Sequence, residues 1–380
     1  MSNIPKLRFP EFKGEWEEKR IDSIFDEKKE KNHPSEEVLT IIQGTGTVPR
    51  KASGRNIIFD EKSLSSYKFV QKDDFIIHLR SFEGGLEIAN SNGIVSPAYI
   101  IMHPKLLIAS KFYYSYFRSY KFINHVLPVS VEGVRDGRQI KYPILKEEKI
   151  PFTSFAEQQK IADFLSNVDS IITAETKILN TLQKKKKALM QKLFTQQLRF
   201  KSDDGTDFPE WEEKKVIDFA KVDTGANNTQ AKVEDGPYPF YVRSPIIYRS
   251  NKYIFDFPEA VLTVGDGVGT GKVFHYVQGK FDCHQRVYVI HDFENVLGKY
   301  FYFYFSEKFY ARVKPMSAKN SVDSVRREMI TDMKIPIPCK AEQQKIADCL
   351  SSLDSLIQTQ QKVVTTWQQR KKALLQQMFI

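Results

Sequence analysis

Residues 150–194 read IPFTSFAEQQKIADFLSNVDSIITAETKILNTLQKKKKALMQKLF, and residues 335–379 read IPIPCKAEQQKIADCLSSLDSLIQTQQKVVTTWQQRKKALLQQMF. The second segment follows the first at a constant offset of 185 residues, and 24 of the 45 aligned positions are identical, including the unbroken octet AEQQKIAD. A gapless match of this length is an internal repeat, and such a repeat determines the architecture of the chain. We therefore take this duplicated segment as the element that decides the fold.

Both copies have the spacing of a long coiled-coil helix. Their apolar residues recur every three or four positions, which gives a narrow seam for a partner helix. A helix of about 40 residues is ~60 Å long at 1.5 Å per residue, which is too long for the core of a small domain. The residues predicted to pair the two helices are Ile161, Leu165, Val168, Ile172, Leu179, Leu182, Leu189, Ile346, Leu350, Leu353, Ile357, Val364, Trp367 and Leu374.

Two polar positions interrupt each seam, and they are equivalent in the repeat. They are Glu175 and Lys186 in the first copy and Gln360 and Lys371 in the second. Polar residues in an apolar seam fix the register at some cost in stability. A dimerisation coiled coil would have the same pattern. We favour pairing within one chain, because a simple dimer gives no reason for one polypeptide to carry both helices.

The start of the first helix has its own sequence signature. Pro151 precedes it, and Ser154 with Glu157 has the spacing of a capping box. The second copy has Pro338 upstream but Cys339 at the capping position. We therefore expect the second helix to be less well capped.

The repeat unit is larger than the helix. A lead-in containing LRF and WEEK begins near residue 7 and again near residue 198, and an unlike globular block follows each lead-in. We predict a first block with its lead-in at residues 1–150, a long helix at 151–196, a second block with its lead-in at 197–335, and a second long helix at 336–380. Short β-branched and aromatic runs bounded by Gly, Pro or Ser predict strands in both blocks. Aromatic helices are predicted at residues 111–123 and 299–313.

Composition narrows the functional class. With 380 residues, a formal charge of +10 and a pI of about 9.2, the chain allows two or three domains and favours an anionic partner such as nucleic acid. The charged N-terminal residues do not form a signal peptide, and no run approaches the ~20 apolar residues of a membrane span. Cys283, Cys339 and Cys349 form no CxxC pair. These features predict a cytoplasmic protein.

No catalytic motif is complete. The segment at residues 265–272, GDGVGTGK, fails as a phosphate-binding loop, because Asp266 stands where that motif needs Gly and neither Ser nor Thr follows the Lys. Cys283 and His284 are adjacent and would point opposite ways along a strand, which disfavours a metal site. The E-x-K pattern at residues 147–149 is better explained as solvated surface charge. We find no nucleophile elbow and no amino-methyltransferase motif, so the sequence predicts neither catalytic machinery nor a metal.

Basic, hydroxyl and amide residues in the loops of both blocks are candidates for contact with DNA. Arg pairs with guanine, and Asn or Gln with adenine, through two hydrogen bonds in the major groove, whereas other contacts only neutralise phosphate. The sequence does not separate these two roles. The candidate residues are Thr45, Arg50, Lys51, Arg55, Arg80, Ser81, Arg135, Arg138, Asn227, Asn228, Arg243, Gln285, Arg286, Lys319, Asn320 and Arg326.

The two AEQQKIAD helices with their KKALMQKLF and KKALLQQMF ends, the WEEKR and WEEKK lead-ins and the two unlike blocks together resemble the specificity subunit of type I restriction-modification systems. The resemblance covers the whole chain. It implies an α+β fold with a pseudo-twofold internal repeat, in which two mixed α/β target recognition domains are separated by two long antiparallel coiled-coil helices. Each domain would bind one half of a bipartite sequence in double-stranded DNA, and the helices would set the spacer between the halves.

The same resemblance implies partners. The helices and their flanks would dock two methyltransferase subunits, and restriction subunits would complete a complex that defends the cell against foreign DNA. S-adenosylmethionine, ATP and magnesium would bind to those subunits, and no cofactor is expected in this chain. The chain itself would be non-catalytic, with methyltransferase and endonuclease activity arising only in the complex.

Two other functions are compatible with the residues. A coiled-coil assembly scaffold without nucleic acid would use the same helices, but it leaves the basic loops without a role. A stand-alone nuclease has only the E-x-K pattern and the Gly-rich loop in its favour.

Overall fold

A computed structural model describes residues 3–54, 61–133, 138–267, 269–317 and 324–379. The chain divides into two compact units. Unit 1 comprises Met1–Lys177 together with Lys362–Ile380, and unit 2 comprises Ile178–Gln361. Each unit therefore contains one globular block and a part of both long helices.

Unit 1 is a mixture of short strands and helices. Its strands are β1 (Glu17–Arg20), β2 (Phe25–Lys28), β3 (Leu39–Ile42), β4 (Gly46–Pro49), β5 (Lys68–Val70), β6 (Phe75–Ile77), β7 (Glu87–Ile88), β8 (Gly93–Val95), β9 (Ile100–Pro104), β10 (Val131–Glu132), β11 (Gln139–Ile140) and β12 (Lys149–Phe152). Its α-helices are α1 (Ile21–Ile24), α2 (Ser81–Gly84), α3 (Ser110–Tyr116), α4 (Tyr142–Leu145) and the first part of α5 (Phe155–Phe194). Shorter 3-10 turns lie at Arg50–Ser53, Glu61–Ser66 and Leu127–Ser130, and a π-helical turn lies at Phe122–Val126.

A four-stranded sheet with the order β2-β9-β6-β7 forms the centre of the unit 1 block. Antiparallel pairs such as Phe25 with Pro104 and Phe75 with Met102 set its register. Helix α3 packs its aromatic face on this sheet, where Tyr113 and Phe117 contact Phe25 edge-on or tilted. These rings are buried, so the aromatic run that predicted a helix contributes large side chains to the core of this block.

Unit 2 is built on a larger sheet. Its strands are β13 (Glu212–Lys215), β14 (Lys221–Thr224), β15 (Tyr238–Tyr241), β16 (Ile247–Ser250), β17 (Phe255–Val264), β18 (Phe274–Cys283), β19 (Val287–His291) and β20 (Lys334–Ile337). Its helices are α6 (Gly298–Ser317), α7 (Arg327–Thr331), and parts of α5 and α8 (Lys340–Met378), with 3-10 turns at Val216–Asp218 and Thr229–Ala231.

The six-stranded sheet of unit 2 has the order β14-β19-β17-β18-β15-β16. The long hairpin of β17 and β18 contains a register shift between Phe257 and Ala260, and such bulges bend and twist a strand. The bend brings Phe257 onto His291 of β19, with ring centroids 4.0 Å apart. A separate apolar cluster, including Phe281 and Val289, fills the inside of the curved sheet.

Each lead-in pairs with the strand that enters a long helix. In unit 1, β1 is antiparallel to β12, with Glu17 opposite Phe152. In unit 2, β13 is antiparallel to β20, with Glu212 opposite Ile337. The repeated WEEK and KIP sequences therefore form the same two-stranded ribbon twice, once in each unit.

The sequence-predicted elements differ from the structure mainly in unit 1. The helix predicted at residues 111–123 ends at Tyr116, and a turn separates it from the π-helical segment at Phe122–Val126. In that turn the buried Ser119 hydroxyl accepts a hydrogen bond from the Phe122 N–H. A serine that bonds the backbone in this way competes with helix continuation. The helix predicted at residues 299–313 is confirmed inside α6.

A buried glutamate and glutamine fix the start of each long helix. In α5 the Gln158 side chain accepts from the Ala109 N–H at 3.0 Å and donates to the Thr153 carbonyl at 2.7 Å. In α8 the Gln343 side chain accepts from the Leu297 N–H at 2.8 Å and donates to the Pro338 carbonyl at 2.8 Å. The EQ dipeptide of the repeated octet thus ties each helix to the backbone just before the aromatic helix of its own block.

The neighbouring glutamates bind the lead-ins. Arg8 donates two hydrogen bonds to Glu157, at 2.7 and 2.9 Å, and Arg199 donates two to Glu342, at 3.1 and 2.8 Å. Burial by itself would raise the pKa of Glu157, but hydrogen bonds from Arg8 and Thr153 outweigh it and the pKa is lowered. Ser154 caps the Glu157 N–H at 3.3 Å, so one half of the predicted capping box is present.

The two long helices also contact each other within each unit. In unit 1 the Lys371 ammonium of α8 lies 2.5 Å from the Asp169 carboxylate of α5. In unit 2 the Lys186 ammonium of α5 lies 2.5 Å from the Asp354 carboxylate of α8. The polar seam positions Lys186 and Lys371 therefore have acidic partners on the opposite helix.

The C-terminal ends of the long helices pack on the aromatic helices. Phe379 contacts Phe112 and Tyr116 in unit 1. Phe194 contacts Tyr300 and Tyr304 in unit 2. Within the described ranges no helix is both long and apolar enough to cross a lipid bilayer.

Replacing the buried Gln343 with alanine tests the contribution of the helix-start contacts. Gln343→Ala leaves a buried N–H and a buried carbonyl without a partner, and each such loss typically costs about 1–3 kcal/mol. The neighbouring Gln344 is exposed and bonds only to Asp348 on the surface, so Gln344→Ala is a matched control with an expected effect within about 0.5 kcal/mol. Urea unfolding measures the free energy of unfolding of both variants, and an equal loss of stability in the two would contradict a special role for Gln343.

Candidate nucleic-acid interface

The tip of the β3–β4 hairpin in unit 1 is a rigid exposed turn. Gly44 and Gly46 have φ values of +86° and +90°, the left-handed region that favours glycine. Their N–H groups donate to the buried Glu87 carboxylate at 2.7 and 2.9 Å. The Asn90 side chain donates to the Thr45 carbonyl at 2.8 Å. The turn therefore presents Thr45, a sequence-predicted DNA contact, on the surface in one fixed shape.

The other predicted residues of unit 1 lie in different environments. Lys51 and Arg80 are exposed, whereas Arg50 is half-buried and its guanidinium lies 5.9 Å from the Tyr67 ring. The Arg138 guanidinium lies 4.4 Å from the ring of Phe82. Lys51, Arg80 and Arg138 therefore reach the surface.

Ser81 does not reach the surface. It is fully buried, and its hydroxyl accepts a hydrogen bond from the His78 N–H at 2.9 Å. The same turn is closed by the Arg80 N–H, which donates to His78 Nδ1 at 3.3 Å. Ser81 thus shapes the turn that exposes Arg80, and the structure places no part of its side chain where DNA could bind.

A cleft of about 630 Å³ in unit 1 is lined by cationic side chains of two elements. Arg118, just past α3, donates to the Tyr114 hydroxyl at 2.6 Å and lies 3.6 Å from Glu87. Lys371 and Lys372 of α8 line the cleft as well. Glu83 and Asp169 also line the cleft, and Lys371 is paired with Asp169, so its charge is mixed. The sequence analysis did not single out Arg118.

In unit 2 five separate loops meet at one place. The Gln285 N–H donates to the Asn227 carbonyl at 2.8 Å, and the His284 N–H donates to the Tyr241 carbonyl at 2.9 Å. The Gly265 N–H donates to the Arg286 carbonyl at 2.7 Å. Backbone hydrogen bonds therefore join the loops after β14, β15, β17 and β18.

The fifth segment approaches through the glycine-rich loop. The Val325 N–H donates to the Gly265 carbonyl at 2.7 Å, and the Tyr288 hydroxyl donates to the Val325 carbonyl at 3.0 Å. Arg326, which directly follows, is exposed. The predicted residues Asn227, Asn228, Arg243, Gln285, Arg286 and Arg326 thus belong to loops joined into one surface, although up to 99 positions separate them in sequence.

A carboxylate lies between two of these cations. Arg243 donates to Asp266 at 3.3 Å, and the Arg286 Nε lies 3.7 Å from the other oxygen of Asp266. The Arg243 and Arg286 side chains remain 49% and 65% exposed, so both can also meet an external anion. Burial lowers the pKa of His284, and the adjacent charge of Arg243 lowers it further.

The amides divide into exposed and structural groups. Asn227 is half-buried, and its Nδ2 lies 2.9 Å from both oxygens of the buried Asp282. Asn228 and Gln285 are exposed, and the Asn228 side chain also accepts from the Gln230 N–H at 3.0 Å. Asn227 is therefore positioned to shape its loop, whereas Asn228 and Gln285 are exposed to solvent.

Four predicted residues, Arg55, Arg135, Lys319 and Asn320, lie outside the described residues. The helix-pairing residues are all inside them, and none is exposed. The fully buried ones are Ile161, Leu165, Val168, Leu179, Ile346, Leu350 and Val364, and the half-buried ones are Ile172, Leu182, Leu189, Leu353, Ile357, Trp367 and Leu374.

The sequence analysis missed the buried polar residues that hold these surfaces. Glu87 and Asp282 gave no signal, because a single acidic residue in a strand has no recognisable pattern. The glutamates and glutamines at the helix starts did give one, since both lie inside the identical octet. These positions lie outside the apolar seam, so helix pairing does not explain why they are identical in both copies. Their identity indicates a second role, such as attaching the helix to its block.

Metal binding and thiol chemistry are both disfavoured among the described residues. Among the described residues no group of three His, Cys, Asp or Glu side chains could hold a metal ion. Lys272 of the glycine-rich loop lies 4.8 Å from the ring of Tyr310. Burial raises the pKa of the Cys283 thiol, which keeps it protonated and unreactive.

The two units define a class of protein in which a duplicated frame carries two unlike loop surfaces. The family described as the type I restriction modification DNA specificity domain matches residues 13–184 and 209–366. These segments cover more than half of the chain, and the chain belongs to this family, that of the specificity subunits of type I restriction-modification systems.

Individual relatives agree with the family. The chain is 25% identical over 334 residues to the type I restriction enzyme MjaVIII specificity subunit of Methanocaldococcus jannaschii, covering 80% of this chain and 78% of the relative. The crystal structure of a type I restriction-modification S subunit from M. genitalium matches with a TM-score of 0.66 and 17% identity over 99% of both chains. A chain from a structural study of type I complex assembly and conformational transition matches with a TM-score of 0.53 and 14% identity, over 96% of this chain and 97% of that chain. At these identities the two structures indicate a shared fold.

The turn that exposes Arg80 should be sensitive to acid. Burial lowers the pKa of His78 to about 4, so between pH 6.5 and 4 the unfolded chain binds a proton that the folded chain does not. Stability therefore falls as the pH falls through this range. In His78→Asn, a non-titrating acceptor can replace Nδ1, and the acid-side decline should be shallower. Unfolding free energies measured from pH 7 to pH 4 test this, and parallel curves for the two proteins would contradict it.

Proposed function

We propose that this chain is the DNA-recognition subunit of a type I restriction-modification complex, and that each globular block recognises one half of a bipartite target in double-stranded DNA. One observation carries the proposal: the same helix-start contacts, at residues 157–158 and 342–343, hold two blocks whose exposed loops differ. A repeated frame with two unlike loop surfaces suits a target whose halves have different sequences.

The long helices are proposed to form an antiparallel coiled coil with pseudo-twofold symmetry. The Asp169–Lys371 and Lys186–Asp354 ion pairs support this, because the 185-residue offset relates Asp169 to Asp354 and Lys186 to Lys371. The backbone agrees as well. The Leu7 N–H donates to the carbonyl of Gln377, and the equivalent Leu198 N–H donates to that of Lys192. Each lead-in thus meets the end of a long helix in the same way.

Helix length suits a spacer role. Helices α5 and α8 have 40 and 39 residues, which corresponds to ~60 Å at 1.5 Å per residue. Half-sites bound from one side of DNA are separated by about one turn, ~34 Å, or a multiple of it. Two antiparallel helices of this length are long enough to hold two recognition blocks at such a separation, and they set the unrecognised spacer between the half-sites.

The contacts divide by chemistry. In unit 1, Thr45 and Arg80 would meet base edges or phosphate, and Lys372 in the cleft beside Arg118 would contact backbone phosphate. In unit 2, Asn228, Gln285 and the Arg243–Arg286 pair provide the donors and acceptors that major-groove recognition uses. The Asp266 carboxylate between the two arginines holds them in place and competes with phosphate for them.

The catalytic steps are assigned to partner subunits. Two methyltransferase subunits are proposed to dock on the helices and their flanks, and restriction subunits complete the complex. S-adenosylmethionine, ATP and magnesium would be bound by those partners. This chain would then choose the DNA sequence and make or break no covalent bond. The DNA specificity family disfavours a scaffold without nucleic acid.

A block exchange tests the assignment of one half-site to each unit. Residues 216–333, which lie between β13 and β20, are replaced with the corresponding block of a relative, and methylated adenines are mapped in a genome carrying the hybrid and its methyltransferase partner. One half-site should change, while the other half-site and the spacer stay as in the parent. A change in both halves would contradict modular recognition.

A salt titration tests the unit 2 surface. Arg243→Ala combined with Arg286→Ala should weaken binding of target DNA and reduce the slope of log K against log salt by about 0.9 for each phosphate that the variant no longer neutralises. Lys221→Ala is the control, because Lys221 pairs with Asp292 at the far end of β14 from residues 225–228. An equal change in the control and the double variant would remove this surface from the DNA contacts.

A further inference from the structure

We propose that two buried carboxylates, Glu87 in unit 1 and Asp282 in unit 2, are positioning residues for DNA recognition, each fixing a recognition loop of its own block and thereby controlling the specificity of one half-site only. The inference rests on the proposed function. It assigns a role to two residues that touch no DNA themselves and that lie outside the repeated frame.

Glu87 is fully buried and is the common acceptor of the hairpin tip. Its Oε1 accepts from the Gly44 N–H at 2.7 Å and from the Gln43 side chain at 3.0 Å. Its Oε2 accepts from the Gly46 N–H at 2.9 Å and from the Tyr114 hydroxyl at 2.8 Å. Four donors therefore converge on one carboxylate, and three of them belong to residues 43–46.

Neighbouring residues also hold the tip from its other sides. A Cβ at Gly46 would lie 2.6 Å from the Ile88 carbonyl oxygen, so the turn packs directly on the backbone of β7. Asn90 holds the other side of the turn through the Thr45 and Thr47 carbonyls, at 2.8 and 2.9 Å. With both sides held, Thr45 is presented to solvent at a fixed place.

Asp282 has the same role in unit 2 with a different set of donors. It is fully buried, and it accepts from the Asn227 side chain at 2.9 Å on both oxygens and from the Ser250 hydroxyl at 3.0 Å. Asn227 in turn accepts the Gln285 N–H on its backbone carbonyl. The carboxylate therefore sets the position of the loop after β14, whose exposed Asn228 and neighbouring Gln285 face outward.

The free-energy cost of burying Glu87 and Asp282 indicates that these carboxylates fix the conformation of the loops and do not mainly stabilise the fold. Removing a carboxylate from water is expensive, and an apolar replacement of similar volume is often equally or more stabilising. Glu87 and Asp282 direct their hydrogen bonds to recognition-loop residues and to the groups that hold those loops. A buried acceptor that several donors share favours one loop conformation over the others. Recognition of a base through two paired hydrogen bonds requires the loop to have a fixed geometry.

Glu87 holds a loop of unit 1 and Asp282 holds a loop of unit 2. The half-site that a substitution leaves unaffected is therefore an internal control. Glu87→Gln keeps the size but removes the charge and turns one acceptor oxygen into a donor, so two of the four donors lose their partner. Asp282→Asn does the same for the loop of unit 2. A purely structural role would lower the amount of folded protein and reduce methylation of every sequence, whereas a positioning role changes the base preference in one half.

The experiment uses the full chain assembled with its methyltransferase partners. The target of the wild type is mapped first, and two duplex DNA libraries are then made, one randomised in each half-site. Methylated adenines are sequenced after reaction with wild type, Glu87→Gln and Asp282→Asn. Glu87→Gln should lower the preference for the correct base about tenfold or more in one half and change the other by less than twofold, and Asp282→Asn should do the reverse.

A milder variant keeps the test decisive if Glu87→Gln does not fold. Tyr114→Phe removes one donor from Glu87 and leaves the Gly44 and Gly46 hydrogen bonds in place, so it should give a smaller loss in the same half. Glu147→Gln, at an exposed position just before β12 and outside the cleft, is expected to leave both halves unchanged.

The possible results are distinct. Loss confined to opposite halves in the two variants supports the inference. Unchanged preference, or equal loss in both halves, overturns it while leaving the proposed function intact. A wild-type complex whose methylation depends on no bipartite sequence overturns the proposed function itself.

Discussion

A buried glutamate–glutamine pair at the start of each long helix is the constraint on which the rest of this structure depends. The glutamate binds the arginine of the lead-in, and the glutamine binds the backbone just before the aromatic helix. Buried polar groups must be satisfied or they cost free energy, so each pair fixes lead-in, block and helix together. The same attachment therefore holds two blocks of unlike sequence.

The two blocks differ in architecture. Unit 1 has a four-stranded sheet with several small ribbons, and unit 2 has a curved six-stranded sheet. Only the attachment is shared: the ribbon of lead-in and closing strand, and an aromatic helix whose tyrosine donates to the carbonyl of Pro151 or Pro336. The loop surfaces of the two blocks differ, although the residues that attach each block to its long helix are equivalent.

Charge inside the structure is used to hold positions. Lys371 and Lys186 lie in the apolar seams of the long helices, and each pairs with an aspartate, Asp169 or Asp354, beside the seam of the opposite helix, which favours one register. Glu87 and Asp282 act on loops, and Asp266 acts on two exposed arginines. In each of these contacts an acidic group on one element fixes a donor on another.

The sequence by itself determined the frame. The repeat, the two long helices, the lead-ins and the aromatic helix of unit 2 were visible because identity at a fixed offset and short-range apolar spacing are properties of the chain alone. Tertiary structure decided which loops meet. Ser81 is buried, Asn227 is bound to Asp282, and Arg243 shares Asp266 with Arg286 because of contacts between distant segments. Such contacts depend on how curved sheets bring loops together, and no local pattern records them.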